Sequence, residues 1–326
     1  MMTFRQIVET IDRLEEAHVL LAALELKIFT ALEKKQLTSE EVARAAKTHA
    51  PATETLLDAL SAMGALRKRG KKFANTPETY KHLCETSKDY KKGIVMLRKE
   101  NRKEWEHLLG AVRDGRDLSQ YQGPDDPEFR WLFTHAMHER SDRFAPKIAA
   151  ITARKRVGRL LDLGGGPGSY SAAILKKDKK ATAVLLDRPA TLEVSREILR
   201  GMKLLGRFQF IEGDMFQVPF GEDYDTVLFS NVLHIYDEDQ NKTLFEKINR
   251  SLNKGGRVIV VDFFLDDSRT KPYEAALFGV TMLLYTATGK TYTFKETEAL
   301  LRDTGFKSLQ RFPLGNGAAL IQAAKK

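Results

Sequence analysis

The spacing of apolar positions changes near the middle of the chain. Up to about residue 150, apolar residues recur every three or four positions, as in VETIDRLEEAHVLLAALELKIFTALE, and this spacing predicts amphipathic helices. From Gly158 onward, short β-rich runs alternate with helical ones. We predict strands at RLLDL, TAVLLD, FQFIEG, DTVLFSN and RVIVVDFFL. The alternation is typical of a parallel α/β sheet.

The last two predicted strands stand apart from this pattern. FKSLQRFPL and AALIQAAK are joined only through GNG, Gly315 to Gly317. Parallel strands need a long crossover, so two strands with so short a link must be antiparallel. The sequence therefore predicts a Rossmann-like sheet that ends in an antiparallel C-terminal hairpin.

Within the helical half, residues 37–79 follow the order helix, turn, helix and small hairpin, which is a winged-helix pattern. TSEEVARAAK opens with a capping box at Thr38 or Ser39. The hairpin tip RKRGKK has five basic residues out of six, which raises the question of DNA binding. The preceding helix carries Glu54 and Asp58 but no arginine, a poor surface for reading bases. A solvated turn is the alternative that we favour.

The first predicted helix is very apolar for one small domain. We expect it to pack on a second copy of the chain through some of its apolar residues, which are Val19, Leu20, Leu21, Leu24, Leu26 and Ile28.

Composition narrows the class of protein. The 326 residues, 42% of them hydrophobic, suffice for a large core and two domains. The start, MMTFRQIVETIDRLEE, is too charged for a signal peptide, and no apolar run approaches the ~18 residues of a spanning helix, so we expect a cytoplasmic protein. Cys84 is the only cysteine, which excludes an internal disulfide. The net charge of +9 is dispersed and indicates a nucleic-acid partner only weakly.

A glycine-rich loop follows the first predicted strand, in RLLDLGGGPGSY at 159–170. A dinucleotide fingerprint GxGxxG beginning at Gly164 would require glycine where Ser169 stands. The spacing present is GxGxG, through Gly164, Gly166 and Gly168. Such a loop lets the backbone approach a ligand closely and turns helix N–H groups toward an anionic group, a carboxylate as well as a phosphate. A glycine-rich turn without a ligand is the alternative.

The second strand ends in Asp187, twenty-five positions beyond Asp162, where an acid can accept hydrogen bonds from both ribose hydroxyls of an adenosine. A nicotinamide-binding sheet would normally end in a parallel strand. The GxGxG loop, the acid after strand two and the antiparallel hairpin together indicate S-adenosylmethionine.

The motifs resemble those of the two-domain small-molecule O-methyltransferases of plant and bacterial natural-product pathways, over nearly the whole chain. The matching segments are LLDLGGGPG, VLLDRP, GDMF, NVLHIYDED, LNKGGRVIVVDFFL and TYTFKETEALLRDTGF. The resemblance implies a class I methyltransferase domain over 151–326, a winged-helix dimerisation domain over 1–95 and a helical connector over 96–150 that lines the acceptor pocket. It also implies a homodimer.

The resemblance also assigns cofactor-binding roles. Gly164 and Gly166 would contact the amino-acid end of S-adenosylmethionine, and Asp187 its ribose. Asp214 and Met215 would contact the adenine. Asp162 and Ser230 complete this predicted set.

Methyl transfer to a hydroxyl needs alignment and a base, because a free phenol has a pKa of about 10. The resemblance implies that His234 is this base and that Asp262 orients it. Two positions depart from the plant pattern, since Ile235 and Thr291 stand where acids occur. The alternatives are a pocket histidine that takes no proton and a strand-end acid with local hydrogen bonds. No metal is required.

The acceptor pocket is expected between two helices. His135 and His138 are three residues apart on one helix, and with Glu139 or Asp142 they could form a metal set, which we consider the weaker interpretation. The resemblance implies substrate contacts on this helix and on the helix after the fifth strand, from Phe133, Met137, His138, Phe278, Met282 and Tyr285. Core packing is the alternative for each.

The sequence thus predicts an S-adenosylmethionine-dependent O-methyltransferase of a small, aromatic, hydroxylated metabolite. A C- or N-methyltransferase, or a non-methylating homologue, is the alternative within the same fold. A winged-helix DNA-binding regulator is a more remote one. The identity of the acceptor cannot be read from the sequence.

Overall fold

The computed structural model describes residues 1–116 and 126–326, with residues 99–103 described as helical backbone only. These residues divide into two compact units, Met1–Arg102 and Lys103–Lys326. The part of the predicted connector at 117–125 lies outside the described residues. No helix among the described residues has the length and apolar character needed to cross a membrane.

The first unit contains a winged helix. Its elements in chain order are α1 (Phe4–Glu25), α2 (Ile28–Leu32), β1 (Leu37–Thr38), α3 (Ser39–Ala46), α4 (Ala50–Ala62), β2 (Leu66–Arg69), β3 (Lys72–Asn75), α5 (Pro77–Leu83) and α6 (Lys92–Glu106), the last of which runs into the second unit. Thr38 is the N-cap of α3 and forms the predicted capping box with Glu41. The basic tip is the turn of the β2–β3 hairpin.

The apolar run of the first predicted helix differs from our expectation. The helix breaks at Lys27, which has left-handed backbone angles and separates α1 from α2. Beyond the break, Ile28 is fully buried in the core of its own unit, and Val19, Leu20 and Leu24 pack against the same core. Of the predicted residues Leu26 is exposed, and five further exposed apolar side chains lie on one face of the first half of α1, at Phe4, Ile7, Val8, Ile11 and Leu14. We call these five residues the α1 stripe.

The second unit alternates strands and helices. In chain order it contains α7 (Leu108–Asp114), α8 (Pro127–Ser141), α9 (Ala145–Thr152), β4 (Arg159–Leu163), α10 (Ser169–Lys177), β5 (Thr182–Asp187), α11 (Pro189–Gly201), β6 (Phe208–Glu212), β7 (Tyr224–Ser230), α12 (Glu238–Ser251), β8 (Leu252–Phe263), α13 (Tyr273–Tyr285), α14 (Phe294–Asp303), β9 (Phe306–Gly315) and β10 (Ala318–Lys325).

The strands form a seven-stranded sheet in the order β6-β5-β4-β7-β8-β10-β9. The first five are parallel to one another, and β10 is antiparallel to both β8 and β9. The predicted antiparallel hairpin is confirmed. The strand order reverses direction between β4 and β7, and ligands of open α/β sheets bind beyond the carboxyl ends of the strands at such a point.

Helices cover both faces of this sheet, which explains the near-continuous apolar strands. Successive residues of β4 belong to opposite cores: Leu161 and Leu163 to one, Leu160 to the other. The rigid, doubly covered sheet fixes the strand ends, so the loops that leave them start from defined positions.

Candidate active site

The glycine loop turns sharply at the carboxyl end of β4. Gly164, Gly166 and Gly168 all have positive φ, at 65°, 53° and 70°, a conformation that other residues adopt only with strain. A Cβ built on Gly166 would meet no atom within 4 Å, so open space lies beside the loop there. A side chain on Gly164 would collide with Val232, whose Cγ2 would lie 2.8 Å away. The loop therefore needs glycine for conformation and for close approach.

Asp187 lies beside this loop at the end of β5. Its Oδ2 accepts a hydrogen bond from the Gly166 N–H at 2.8 Å, and its Oδ1 accepts one from the Arg188 N–H at 2.8 Å. Burial raises the pKa of the carboxyl, and these two backbone donors oppose the rise. The carboxylate is thereby fixed in orientation and keeps further lone pairs for hydroxyl donors.

Asp162 lies under the loop with its carboxylate unsatisfied. The residue is 1% exposed, and neither side-chain oxygen has a hydrogen-bond partner among the described residues. Burial raises its pKa to about 7; the nearby Ser171 hydroxyl, which donates to the Gly168 carbonyl at 3.0 Å and not to the acid, opposes the rise only weakly, and the charge of Asp187 reinforces it. A buried acid without a donor is costly, so a cationic or N–H-bearing ligand group in this loop would find a ready acceptor. The cradle therefore fits the amino-acid end of S-adenosylmethionine.

The predicted adenine loop follows β6 and begins beside Asp187. Gly213 N–H donates to the Asp187 carbonyl at 3.0 Å, and the Asp214 Oδ1 accepts from the Phe216 N–H at 2.8 Å. The Met215 Cε would lie 3.1 Å from a Cβ on Gly164. Ser230, which is 7% exposed, is the last residue of β7. All seven predicted cofactor residues thus occur at the carboxyl edge of β4, β5, β6 and β7.

His234 and Asp262 form a buried pair at the same edge. His234 lies in a 3-10 turn after β7, and Asp262 near the end of the adjacent β8. The imidazole Nδ1 lies 2.7 Å and 3.0 Å from the two Asp262 carboxylate oxygens, and the His234 N–H also donates to Oδ2 at 3.3 Å. A carboxylate only accepts, so Nδ1 carries the proton. Nε2 has no hydrogen-bond partner among the described residues and is free to accept one.

Three neighbours of this pair were not predicted from the sequence. A Cβ on Gly289 would lie 2.1 Å from the His234 carbonyl oxygen and 2.8 Å from that of Ile235, so the chain passes directly against the turn that carries the imidazole. Arg116 donates to the Ala287 carbonyl at 2.8 Å and to the Gly289 carbonyl at 2.6 Å, which holds that passing segment. A lone glycine and a lone arginine far apart in sequence give no signal of such a role.

Tyr170 is a further unpredicted neighbour. Burial raises the pKa of its phenol, the side chain of Asn231 opposes the rise by hydrogen bonding, and the charge of Asp262 adds to it. Tyr170 follows the glycine loop and Asn231 follows β7, so this interaction joins two segments at the carboxyl edge of the sheet. Its place one residue after the GxGxGS string is the only sequence signal that it had.

The six predicted pocket residues occupy two helices. On α13, the ring of Phe278 packs edge to face on the His234 imidazole at 4.8 Å, Met282 is buried and Tyr285 is half-buried. On α8, the His138 Nδ1 lies 2.8 Å from the Ser169 hydroxyl at the end of the glycine loop. The other two predicted residues of α8, Phe133 and Met137, are half-buried.

The two departures from the plant pattern can be located. Thr291 is 2% exposed and its hydroxyl has no hydrogen-bond partner among the described residues; a Cβ on Gly279 of α13 would lie 3.4 Å from it. Ile235 directly follows His234, and its carbonyl lies against Gly289. Within the described part of the chain, no group of three or more His, Cys, Asp or Glu side chains is arranged to hold a metal ion.

Comparison with known proteins matches two family models. The O-methyltransferase domain matches residues 94–307, and the O-methyltransferase dimerisation domain matches residues 8–83. The first match alone covers well over half of the chain. It includes every predicted cofactor and catalytic residue.

Curated relatives and solved structures agree with the models. The chain is 29% identical over 301 residues to the 3-hydroxy-5-methyl-1-naphthoate 3-O-methyltransferase of Streptomyces sahachiroi, covering 89% of this chain and 86% of that protein. It is 26% identical over 338 residues to an N,N-dimethyltransferase of Streptomyces rimosus, covering 98% and 96%. The structure of human N-acetylserotonin methyltransferase in complex with S-adenosylmethionine superposes with a TM-score of 0.86, at 25% identity and coverage of 99% and 97%.

These matches confirm the predicted fold class, the predicted enzyme class and S-adenosylmethionine as the cofactor. The roles of individual residues stay predictions. With a seven-stranded methyltransferase sheet, a winged helix before it and both family models along its length, this chain belongs to the O-methyltransferase family.

Proposed function

We propose that this enzyme transfers the methyl group of S-adenosylmethionine to a hydroxyl of a small aromatic metabolite, with His234 as the general base. The observation that carries the proposal is the buried His234–Asp262 pair at the carboxyl edge of the sheet, with Nδ1 bonded to the acid and Nε2 free. This edge also carries the glycine loop and Asp187.

The cofactor, when bound, supplies a methyl group on a positively charged sulfur, which makes the methyl electrophilic. The chain supplies the proton acceptor. Asp262 holds the imidazole by Nδ1 in the tautomer whose Nε2 takes the hydroxyl proton, and it stabilises the imidazolium that results. Because the imidazole removes the proton while the oxygen attacks, the acceptor need not ionise in advance at neutral pH.

The chain offers groups that would hold the parts of the cofactor by charge and hydrogen bonding. Asp162 would accept from the ammonium of the amino-acid end, the N–H groups beyond the glycine loop would face its carboxylate, and Asp187 would accept from the ribose hydroxyls. Asp214 and Met215 border the adenine, and Ser230 borders the same site. The unsatisfied Asp162 carboxylate and the open space beside Gly166 support this assignment.

The acceptor is aromatic and lies against α13. The Phe278 ring contacts the His234 imidazole. Met282 and Tyr285 lie on the same helix and add apolar surface against which a flat ligand can pack. Phe133, Met137 and His138 of α8 form the opposite wall. The Streptomyces sahachiroi relative, which by its name methylates a hydroxynaphthoate, supports an aromatic hydroxyl as the acceptor group.

N-methylation is the second candidate. The Streptomyces rimosus relative is by its name an N,N-dimethyltransferase and matches nearly the whole chain. An amine acceptor attacks the methyl group with its nitrogen lone pair and releases a proton to the same imidazole. The geometry therefore serves both O-methylation and N-methylation. Phenols and aryl amines offered together distinguish the two by the atom that is methylated.

The enzyme is a homodimer in which the α1 stripe covers the equivalent region of a second chain. The match to the dimerisation model over residues 8–83 supports this, as do the five exposed apolar side chains on one face of α1. DNA binding is not favoured, because α4 exposes Glu54 and Asp58 and the wing residue Lys68 is paired with Asp58 at 2.5 Å. Light scattering gives a dimer mass for the wild type and a monomer mass for Ile11→Asp, while an unchanged mass for the variant rejects the stripe as the interface.

The experiment that tests the reaction measures labelled methyl uptake. The enzyme is incubated with methyl-labelled S-adenosylmethionine and a panel of phenols, hydroquinones and aryl amines, and each product is analysed for the methylated atom. An aryl methyl ether is expected. If only an N-methyl product forms, N-methylation replaces O-methylation as the function. A protein that fails to bind S-adenosylhomocysteine in calorimetry refutes both candidate functions.

A further inference from the structure

Lys247 is a charged residue that no motif singles out, and it makes a dense set of contacts inside the second unit. It lies on α12 with its ammonium turned to the loop after β6. Its Nζ donates to the carbonyls of Met215 at 2.5 Å, Phe216 at 3.2 Å and Val218 at 3.0 Å. The same ammonium lies 4.4 Å from the centroid of the Phe220 ring.

The loop that it binds is a hydrogen-bonded turn that belongs to no helix or strand, and its free carbonyls explain why a cation is needed. The Gln217 and Val218 N–H groups both donate to the Asp214 carbonyl at 2.9 Å, and no backbone N–H of the described residues donates to the three carbonyls that Lys247 binds. A lysine ammonium has three donors and no acceptor, which matches three convergent carbonyls. The ammonium satisfies carbonyls of this turn in the way that a cation caps the C-terminus of a helix, and it comes from the separate helix α12.

Burial and the charge of Arg250 lower the pKa of Lys247, and the charge of Asp214 opposes this. Partial burial of a lysine is costly unless its donors are satisfied. Here the donors are satisfied by the loop, and the Phe220 ring covers the ammonium. Three hydrogen bonds and the ring contact therefore hold the Lys247 ammonium against this loop.

The turn connects directly to the cofactor site. It begins at Asp214 and Met215, the two residues assigned to the adenine, and Met215 also lies against Gly164 of the glycine loop. The Gly213 N–H ties the start of the turn to the Asp187 carbonyl. Lys247 ties down the other end. Fixed at both ends, the turn presents Asp214 and Met215 in one orientation before any ligand arrives.

We propose that Lys247 is a positioning residue that sets the affinity for the nucleobase end of the cofactor by holding the turn at 214–218. It touches neither the reacting atoms nor the cofactor. The proposal rests on the proposed function in one respect, the assignment of Asp214 and Met215 to the adenine. Its effect on binding is confined to ligands that carry a base.

Two ligands separate this role from a general structural one. S-adenosylhomocysteine carries the adenine, and S-ribosylhomocysteine has the same amino-acid and ribose parts without it. In Lys247→Met, the Kd for S-adenosylhomocysteine is expected to rise about tenfold, the loss that one hydrogen bond to a charged group supplies. The Kd for S-ribosylhomocysteine is expected to stay unchanged. Lys247→Arg, which keeps a cationic donor, restores most of the affinity.

A matched control lies on the same helix. Lys242 is exposed, so Lys242→Met removes a lysine from α12 without touching the turn, and it leaves both dissociation constants unchanged. Hydrogen exchange gives an independent reading without ligand, because the Gln217 and Val218 amides exchange faster in Lys247→Met than in the wild type. If Lys247→Met does not fold, Lys247→Gln provides the same comparison with one donor group retained.

Three results overturn the proposal. They are an equal loss of affinity for both ligands, an unchanged Kd for S-adenosylhomocysteine, and unchanged exchange at Gln217 and Val218. A wild-type protein that binds neither ligand refutes the proposed function instead. Wild-type binding of both ligands with equal affinity refutes the adenine assignment, and with it this proposal.

Discussion

The proposed cofactor end and the proposed acceptor end of this site are built in different ways. At the cofactor end, backbone groups of contiguous loops do most of the work: glycines with positive φ, the N–H of Gly166, and Asp187 held by two backbone donors. At the acceptor end, side chains from distant parts of the chain meet. His234 follows β7, Asp262 ends β8, Phe278 belongs to α13, and Arg116 precedes α8.

The difference predicts which measured constant a substitution at each end changes. A backbone cradle depends on local conformation, so a change there affects cofactor binding and leaves the base in place. An assembly of side chains depends on packing between elements, so a change at one contact displaces the base and leaves the cradle intact. Substitutions at the two ends should therefore separate Kd from kcat.

The largest effect is expected at the acceptor end, for Gly289→Ala. The new Cβ would lie 2.1 Å from the His234 carbonyl and 2.6 Å from the Thr286 hydroxyl, so the turn that carries the imidazole must move. A displacement of about 1 Å lowers kcat by about 100-fold, while the Kd for S-adenosylhomocysteine changes little. The measurements are steady-state kinetics and calorimetry.

Gly201→Ala is the control for that variant, since a Cβ there meets no atom within 4 Å and the residue has no positive φ. It should leave kcat unchanged. Wild-type kcat in Gly289→Ala would mean that the position of His234 does not limit the reaction.

The next effect is expected at the cofactor end, for Asp187→Asn. A carboxylate that accepts from ribose hydroxyls contributes about 1.5–3 kcal/mol for each bond, so the Kd for S-adenosylhomocysteine should rise by about 10- to 100-fold. At saturating cofactor, kcat should be close to the wild-type value. Glu212 lies opposite Asp187 in the register of the neighbouring strand β6, so Glu212→Gln is the control. Equal effects of the two variants would reject the ribose contact.

The smallest effect concerns the pH dependence of stability. Burial raises the pKa of Asp162 from 3.8 to about 7, so between these values the folded protein holds a proton that the unfolded chain has released. The free energy of unfolding therefore falls as pH rises through this window. Above it, the stability that the protonated Asp162 provided is lost. Asp162→Asn is neutral throughout, so without ligand its Tm at pH 8 should exceed that of the wild type by about 2–8 °C.

At pH 4 the two Tm values should agree, because Asp162 is protonated in the wild type. The same variant should bind S-adenosylhomocysteine more weakly at pH 8, since the ammonium loses its carboxylate. A Tm difference that does not depend on pH would contradict the burial of an ionisable Asp162.

The two ends also differ in how far the sequence predicted them. The strands, the antiparallel hairpin and the GxGxG loop are local strings, and the structure confirms them, although β8 begins at Leu252 and not at Arg257 as predicted. The catalytic roles of His234 and Asp262 were predicted only through resemblance and stay predictions, although the structure places the two side chains 2.7 Å apart. In the first predicted helix, Ile28 is buried in its own unit while Leu26 and the α1 stripe are exposed, because apolar spacing alone does not show which part of a helix its own domain covers.

Arg116, Gly289 and Lys247 were missed for a common physical reason. Each acts through backbone carbonyls or close packing on a segment tens or hundreds of residues away. A carbonyl is present at every residue and carries no sequence signal. Such contacts become visible only when the fold brings the two segments together.

The central claim is that His234 removes the proton of the hydroxyl that attacks the methyl group, and phenols of graded acidity test it most directly. We expect His234→Gln to lower kcat by about 100- to 10,000-fold for phenols of pKa about 10, with an unchanged Kd for S-adenosylhomocysteine. For phenols already ionised at the assay pH, the variant should approach the wild-type rate. The same loss of kcat for ionised and un-ionised phenols, or no loss for either, would contradict the account.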